Sequence, residues 1–237
     1  MIRVAAVGDV HLGGDACGHL RPALTELPSV ADVLLLAGDL TRHGTVAEAE
    51  CVAAEFRDLG VPVVAVLGNH DYHSDQQDEI TEVLTGAGLT VLEGDSTVVR
   101  VGAERLGVAG VKGFGLGFAG RSCSDFGEPE SKAFAGHGKQ VAARLAEALD
   151  GLDGAADRTV ALTHYSPVAD TLAGEPPEIY PFLGNYLLAE VIDAHDVDLA
   201  VHGHAHAGIE KGLTAGGTRV RNVAHPVLRR AYAVYDL

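Results

Sequence analysis

The sequence has no tryptophan, one methionine and only three cysteines among its 237 residues. The cysteines (Cys17, Cys51 and Cys123) are odd in number, lie far apart and form no zinc-type pair, so we expect reduced thiols in a cytoplasmic protein. No stretch approaches the ~20 consecutive apolar residues that a membrane helix needs. The first residues resemble a strand rather than a secretory signal. We therefore expect no membrane partner.

Positive charge is also scarce. Lys and Arg number 17 against 33 Asp and Glu, which gives a formal net charge of −16. A surface of this sign gains little from counterion release on nucleic acid and has no basic patch for anionic lipid. We therefore expect no nucleic-acid partner, while the sequence leaves the oligomeric state open.

Short apolar runs recur along the chain, and most of them end in a polar, glycine-rich turn. Runs of this length are typical of strands buried on both faces, and helical patterns lie between them, as in an α/β fold. The predicted strands are Val4–Val7, Val33–Ala37, Pro62–Leu67, Thr159–Leu162 and Leu199–Val201. The predicted helices are Val46–Leu59, Asp75–Leu84 with Ser74 as its N-cap, Ser131–Leu149 and Gly184–Ala194.

The middle and the end of the chain add shorter strands. The middle ones form a meander that either extends the sheet or builds a second one. We find no internal repeat and no linker-like segment, so one domain is expected over residues 1–237. These additional strands are predicted around Val91 and at Val98–Val101, Arg105–Val111, Thr218–Val223 and Ala231–Tyr235.

Two irregular segments, Lys112–Pro129 and Tyr165–Leu183, do not resemble scaffold. Long irregular loops in a compact domain are often functional. Both segments should return to the functional edge of the sheet, where they would cap a site and narrow its opening. Their aromatic residues (Phe114, Phe118 and Phe126) are candidates for a pocket wall or for the core.

Polar clusters follow five of the predicted strands. In open α/β sheets, ligands bind outside the carboxyl ends of the strands. Asp-x-His and Gly-Asp are common by chance, whereas Gly-Asn-His and Gly-His-x-His are rare, so the ordered set carries the signal. Carboxylate, imidazole and amide donors suit Mn, Fe or Zn. The clusters are Asp9-Val10-His11, Gly38-Asp39, Gly68-Asn69-His70-Asp71, His164 and Gly203-His204-Ala205-His206.

This ordered set resembles the calcineurin-like metallophosphoesterase superfamily, whose motifs appear in the same order from Asp9 to His206. The resemblance implies a four-layer α/β/β/α sandwich of two mixed sheets flanked by helices. It also implies a hydrolase that cleaves the phosphoester of a small intracellular substrate by a hydroxide that bridges two metal ions. The expected ions are Mn or Fe, with Zn as an alternative.

The resemblance also implies roles for individual residues. It assigns one metal ion to Asp9, His11, Asp39 and His206, and the other to Asp39, Asn69, His164 and His204. Asp39 would bridge the two ions, and His70 would contact a phosphoryl oxygen or protonate the leaving oxygen. Many relatives orient this histidine with an acidic residue three positions after the bridging aspartate. Arg42 occupies that position here, so either Asp71 orients His70 or nothing does.

Other polar residues near the motifs have two interpretations. Lys112 and Arg121 are candidates to pair with a substrate phosphate, although loop residues of this kind are more often solvated charges. His202 is expected to be a buried, hydrogen-bonded histidine rather than a ligand.

Three other functions would use the same fold. A nuclease is disfavoured by the net charge, and a protein Ser/Thr phosphatase by the lack of arginines around the motifs other than Arg42. A non-catalytic interaction module is disfavoured because such proteins usually lose metal-ligand residues, whereas this sequence keeps all of those that the resemblance implies. We therefore expect a small phosphoester substrate, with cyclic or linear nucleotide diesters slightly favoured.

Overall fold

A computed structural model describes residues 1–237. Its strands form two mixed sheets and one short hairpin. In spatial order the first sheet contains β13 (Ala233–Asp236), β1 (Arg3–Val7), β2 (Val33–Ala37), β3 (Val63–Val66) and β4 (Thr90–Val91). The second contains β11 (Lys211–Leu213), β12 (Arg219–Asn222), β10 (Leu199–His202), β9 (Arg158–Thr163), β6 (Glu104–Val111) and β5 (Asp95–Val101). The hairpin pairs β7 (Gly117–Phe118) with β8 (Arg121–Ser122).

The helices are as follows: α1 (Leu27–Val30), α2 (Val46–Phe56), α3 (Gln77–Gly86), α4 (Pro129–Asp150), α5 (Tyr180–Leu183), α6 (Tyr186–Asp193) and α7 (His225–Leu228). Short 3₁₀ turns occur at Arg21–Leu24, His70–Tyr72, Asp170–Leu172 and Pro177–Ile179. None of the helices combines the length and the apolar character that crossing a membrane requires.

Strands β1 to β4 run parallel in the first sheet, and β6, β9, β10 and β12 run parallel in the second. The antiparallel strands β13, β5 and β11 lie at the sheet edges. The predicted meander divides: β4 extends the first sheet, and β5 and β6 belong to the second. Every strand that precedes a polar cluster is therefore parallel, and its carboxyl end faces the same edge as its neighbours.

Alternation of side chains along the strands builds four layers. In β1, Val4 and Ala6 belong to the core between the two sheets, whereas Ala5 and Val7 pack with α2 and α3 on the outer face. In the second sheet, Ala161 of β9 packs with α4 and α6. The order helix, sheet, sheet, helix confirms the predicted α/β/β/α sandwich.

Two helix starts illustrate what local sequence determines. Helix α2 begins as predicted, because Thr45 and Glu48 form a reciprocal capping box. Helix α3 begins at Gln77 rather than Asp75, so that prediction was wrong. The Ser74 hydroxyl donates to the His43 carbonyl at 2.6 Å instead of capping the helix, and Asp75 has a left-handed backbone with φ of 54°.

The cysteine prediction needs correction. Cys17 and Cys51 form a disulfide with a Cα–Cα distance of 5.3 Å, and only Cys123 is free. The segment after β1 folds back onto α2, where the Leu20 amide donates to the Glu55 carboxylate at 3.3 Å. This long-range contact brings together two thiols that are 34 residues apart. The cysteine count therefore no longer supports a reducing compartment.

We predict that Cys51→Ala lowers the free energy of unfolding by about 2–4 kcal/mol under oxidising conditions, because the bond restricts the unfolded chain. Chemical denaturation checks this, with Cys123→Ala as the matched control that should change stability little. Thiol titration of denatured, unreduced wild-type protein should detect one free thiol. Detection of three would contradict the disulfide.

Candidate metal centre

The five polar clusters meet where the two sheets face each other. Asp9, Asp39 and Asn69 follow β1, β2 and β3 of the first sheet. His164 and His204 follow β9 and β10 of the second sheet. Since each residue lies just beyond the carboxyl end of its strand, packing of the two sheets brings all five clusters together.

One group of potential ligand atoms comes from Asp9, His11, Asp39 and His206, and these atoms lie within 4.8 Å of one another. His206 Nε2 is 2.9 Å from Asp9 Oδ1 and 3.4 Å from His11 Nε2. His11 Nε2 is 3.8 Å from Asp39 Oδ2. Two carboxylates and two imidazoles therefore converge on one small volume.

A second group comes from Asp39, His164 and His204, again with ligand atoms within 4.8 Å. His164 Nε2 lies 3.3 Å from Asp39 Oδ1 and 3.0 Å from Asn69 Oδ1. Asp39 thus belongs to both groups, with one oxygen near His11 and the other near His164. The seven residues that the sequence pattern singled out as ligands all lie in or directly beside these two groups.

Backbone carbonyl oxygens orient the histidines of the second group. His164 Nδ1 donates to the Ala37 carbonyl at 2.9 Å, and His204 Nε2 donates to the Phe182 carbonyl at 3.1 Å. A carbonyl oxygen only accepts, so each of these ring nitrogens carries the proton. His164 Nε2 and His204 Nδ1 are therefore the nitrogens with a free lone pair, which is the arrangement typical of metal-binding histidines.

His70 has the same kind of support. Its Nδ1 donates to the Arg42 carbonyl at 2.8 Å, and its main-chain amide donates to Asp39 Oδ1 at 2.8 Å. Arg42 thus orients His70 through its backbone, and its side chain pairs instead with Asp15 at 2.9 Å. The expectation that Asp71 or nothing orients the ring was wrong, because it considered side chains only.

Asp71 joins two loops of the site instead of orienting His70. Its buried carboxylate accepts hydrogen bonds from the Thr41 amide at 2.8 Å, the Thr41 hydroxyl at 2.6 Å and the Gly68 amide at 2.8 Å. A further bond comes from the Leu40 amide at 3.2 Å. These bonds join the loop after β2 to the loop after β3, so Asp71 positions the loops that carry Asp39 and Asn69.

Backbone strain is concentrated in the site. Asp9, His11, Asp39 and His204 all have left-handed backbones, with φ of 55°, 42°, 51° and 69°. Such conformations cost non-glycine residues roughly 1–3 kcal/mol each and persist at sites where function requires them. Four of the seven non-glycine residues with positive φ are thus candidate ligands.

Glycines within the motifs leave room for the ligand side chains. A Cβ on Gly68 would overlap the Asp39 carboxylate, and one on Gly203 would overlap the Asp9 carboxylate. A Cβ on Gly38 would collide with the His164 ring. Each motif therefore needs glycine because the carboxylate or imidazole of another motif occupies that space.

The protonation states of the carboxylates and imidazoles in the site favour the binding of a metal cation. Burial raises the pKa of Asp9 to about 6, while burial lowers the pKa of His11 to about 4 and that of His204 to about 3. Burial also holds the pKa of His164 well below its usual value. These imidazoles are neutral at pH 7, so they supply no positive charge there while carrying the lone pairs that a metal ion needs. His206 differs, because its hydrogen bond to Asp9 raises its pKa. Three neutral imidazoles beside buried carboxylates nevertheless fit a site built for metal ions.

The remaining sequence candidates are dispersed. Lys112 is buried among aromatic rings rather than solvated. Arg121 lies in the exposed hairpin strand β8, with its guanidinium 5.4 Å from the centroid of the Tyr180 ring. His202 is fully buried and bonds the Thr171 hydroxyl at 2.8 Å, as predicted.

The two irregular segments pack on each other beside the site. The ring centroid of Phe114 lies 6.1 Å from that of Tyr165, and the ring centroid of Phe118 lies 6.3 Å from that of Tyr180. The second segment contributes the Phe182 carbonyl that holds His204, and its Tyr165 ring lies 4.3 Å from the His204 ring. The Phe182 carbonyl contact could not be predicted from the sequence, since a backbone carbonyl has no sequence signature. Only the position of Tyr165 next to His164 offered a hint.

We predict that Gly68→Ala lowers the metal content and the free energy of unfolding, the latter by about 1–3 kcal/mol, because the new Cβ displaces the Asp39 carboxylate. Gly14→Ala is the matched control, since nothing lies within 4 Å of its added Cβ. Elemental analysis and chemical denaturation check both variants. An unchanged metal content in Gly68→Ala would show that a Cβ at this position does not displace the Asp39 carboxylate.

Comparison with known proteins places the chain in a family. The sequence profile of the calcineurin-like phosphoesterase family matches residues 2–208. A protein from Synechococcus sp. described as a probable cyclic nucleotide phosphodiesterase is 33% identical over 92 residues. That alignment spans 35% of this chain and only about a third, 34%, of the curated relative's length.

Two solved structures share the fold. The phosphopantetheinyl hydrolase of Mycobacterium tuberculosis superposes with a TM-score of 0.68 over 98% of this chain and 95% of its own, at 17% identity. The protein TT1561 of Thermus thermophilus gives a TM-score of 0.61 over 99% of this chain and 98% of its own, at 16% identity. With five motifs in order, a shared fold and a profile match over most of its length, the chain belongs to the calcineurin-like phosphoesterase family.

Proposed function

We propose that the protein is a metal-dependent phosphoesterase that hydrolyses a small phosphoester with two metal ions. The single observation that carries this proposal is the position of Asp39 in two separate groups of ligand atoms. A shared carboxylate screens the repulsion between two neighbouring cations. Asp9, His11, Asp39 and His206 would hold one ion, and Asp39, Asn69, His164 and His204 the other.

The donor set indicates which ions fit. Imidazole nitrogens together with carboxylate and amide oxygens suit Mn, Fe or Zn, and no cysteine is among them. When bound, such a pair of ions activates water at neutral pH and polarises the phosphoryl oxygens.

The protein's own residues hold and orient the reacting groups. Because His70 Nδ1 donates to the Arg42 carbonyl, Nε2 is the only ring nitrogen left to exchange a proton or contact a substrate oxygen. We assign His70 the task of donating a proton to the leaving-group oxygen or holding a phosphoryl oxygen. The His70 main-chain amide donates a hydrogen bond to Asp39 Oδ1, which holds His70 next to the shared carboxylate.

The substrate is proposed to be small. The contact of segment Tyr165–Leu183 with His204 supports its role as part of a cap together with Lys112–Pro129. The net charge of −16 disfavours long nucleic acid. Similarity to the Synechococcus protein favours a cyclic or linear nucleotide diester among small phosphoesters.

A panel of small mono- and diesters tests the proposed function. Metal-free protein is loaded separately with Mn, Fe or Zn, and turnover is measured on each ester, including cyclic nucleotides. We expect turnover of at least one ester that requires the added metal. Protein that binds two ions and hydrolyses no member of the panel, or that degrades long DNA or RNA while leaving small diesters intact, would overturn it.

We predict that wild-type protein binds two ions per chain and that Asp39→Asn binds at most one at full occupancy. The amide keeps the shape of the side chain but removes the charge that both ions share. Elemental analysis of both proteins decides the matter, with Asp153→Asn, an exposed turn residue, as the control. Two fully occupied ions in Asp39→Asn would reject the bridging assignment.

We also predict that His70→Ala lowers kcat by about 10²- to 10⁴-fold on an ester with a poor leaving group, while the metal content stays near that of wild type. An alkyl phosphoester is the decisive substrate, because a p-nitrophenyl leaving group needs little protonation. His73→Ala, an exposed histidine three residues further on, is the matched control. Near-normal kcat on the alkyl ester would remove His70 from the proton transfer.

A further inference from the structure

Lys112 is a buried lysine without an acidic partner. The residue is 9% exposed, and its Nζ donates only to the Gly113 carbonyl at 3.3 Å. The adjacent carboxylate of Glu93 is engaged elsewhere, by the Lys112 main-chain amide at 2.9 Å and by the Arg144 guanidinium at 3.3 Å. The carboxylates of Glu93 and Asp39 act on this ammonium only from beyond ion-pair distance. Lysines are rarely buried without a close counter-charge, so this ammonium needs an explanation.

Aromatic rings surround the ammonium. Lys112 Nζ lies 4.8 Å from the ring centroid of Tyr72, 5.3 Å from that of Tyr165 and 5.5 Å from that of Phe114. Ring faces attract a cation and partly replace its lost water shell, but they do not neutralise its charge. The cage therefore holds a positive charge in place and leaves it available to an anion.

The cage borders the candidate metal centre. Strand β6 lies parallel to β9, and the Lys112 carbonyl accepts the His164 amide at 2.9 Å and the Tyr165 amide at 3.1 Å. Tyr72 ends the 3₁₀ turn that begins at His70, and the Tyr165 ring packs against His204. The ammonium thus lies beside the Asn69–His164–His204 side of the site.

The hydroxyls of the cage are also free. Of the six tyrosines, only Tyr180 and Tyr235 bond another protein group through their hydroxyls. The hydroxyls of Tyr72 and Tyr165 therefore remain able to donate to a ligand. A lysine and two tyrosines supply donors of the kind that recognise an anion.

We propose that Lys112, held by Tyr72, Tyr165 and Phe114, is a substrate-binding residue that binds an anionic phosphate oxygen of the substrate. This inference rests on the proposed phosphoesterase function and adds a recognition element outside the metal ligands. The phosphate oxygen comes either from the phosphoryl group that is cleaved or from a second phosphate on the same molecule. Both sources present the same chemistry to the ammonium, and the choice of substrates distinguishes them.

Lys112→Met tests the proposal, because methionine keeps the apolar stem within the cage and removes the charge. We expect KM to rise about 10- to 100-fold, the effect of losing one charge-assisted hydrogen bond, with kcat changed much less. Calorimetry should show a similar loss of affinity for inorganic phosphate. Lys211→Met, which removes one exposed lysine, is the matched control for net charge.

Substrate choice then locates the phosphate. If Lys112 binds the phosphoryl group that is cleaved, KM rises for p-nitrophenyl phosphate, bis(p-nitrophenyl) phosphate and a nucleoside diphosphate ester alike. If it binds a second phosphate, only the nucleoside diphosphate ester is affected, and affinity for inorganic phosphate falls with it. Lys112→Arg, which retains a positive charge, should restore part of the loss.

The failure of this inference is distinguishable from that of the proposed function. Wild-type turnover with bound metal establishes the function whatever Lys112 does. If Lys112→Met keeps KM on all substrates and phosphate affinity within twofold of wild type while its unfolding free energy falls, the lysine is structural and the inference is overturned. Unchanged metal content in both lysine variants excludes an indirect effect through His164.

Discussion

The carboxylate of Asp39 is the constraint on which the site depends. It is almost fully buried, lies between the two groups of potential ligands, and accepts the main-chain amide of His70. The first sheet supplies Asp39 and the second supplies His164, so the site forms only when the apolar layer between the sheets is packed. Residues such as Leu35 and Leu162, which pack in this layer and carry no reactive group, thereby help determine the distance between the ligands.

A network of short hydrogen bonds offsets much of the buried charge and backbone strain at this edge. Asp71 joins the loops after β2 and β3, and backbone carbonyls of Ala37, Arg42 and Phe182 hold three rings in place. Neutral acceptors orient an imidazole without raising its affinity for protons as strongly as a carboxylate would. The lone pairs therefore remain available near neutral pH.

Much of this was predictable from the sequence because the information is local. Apolar runs and the turns that follow them define β1, β2, β3, β9 and β10, and the candidate ligands come directly after those strands. Contacts between distant backbones were not predictable. The hydrogen bond from His70 to the Arg42 carbonyl does not depend on which side chain residue 42 carries. The pairing of Cys17 with Cys51 depends on a loop that folds onto α2. The burial of Lys112 likewise arises from three separate segments.

The charge distribution links these features to substrate choice. In the proposed enzyme, a surface with net charge −16 repels an anionic polymer, because a long chain of phosphates must approach that surface along its whole length. A small ester carries only one or two charges, so the field repels it far less than it repels a polymer. Salt screens that field beyond a Debye length of ~8 Å at physiological ionic strength. Inside the cleft, the caged ammonium of Lys112 and the two proposed metal ions would reverse the local sign of the charge. In the proposed enzyme, repulsion outside and attraction inside would together select for small anionic esters, with the proposed cap segments restricting the size of the substrate and the charge pattern restricting its length.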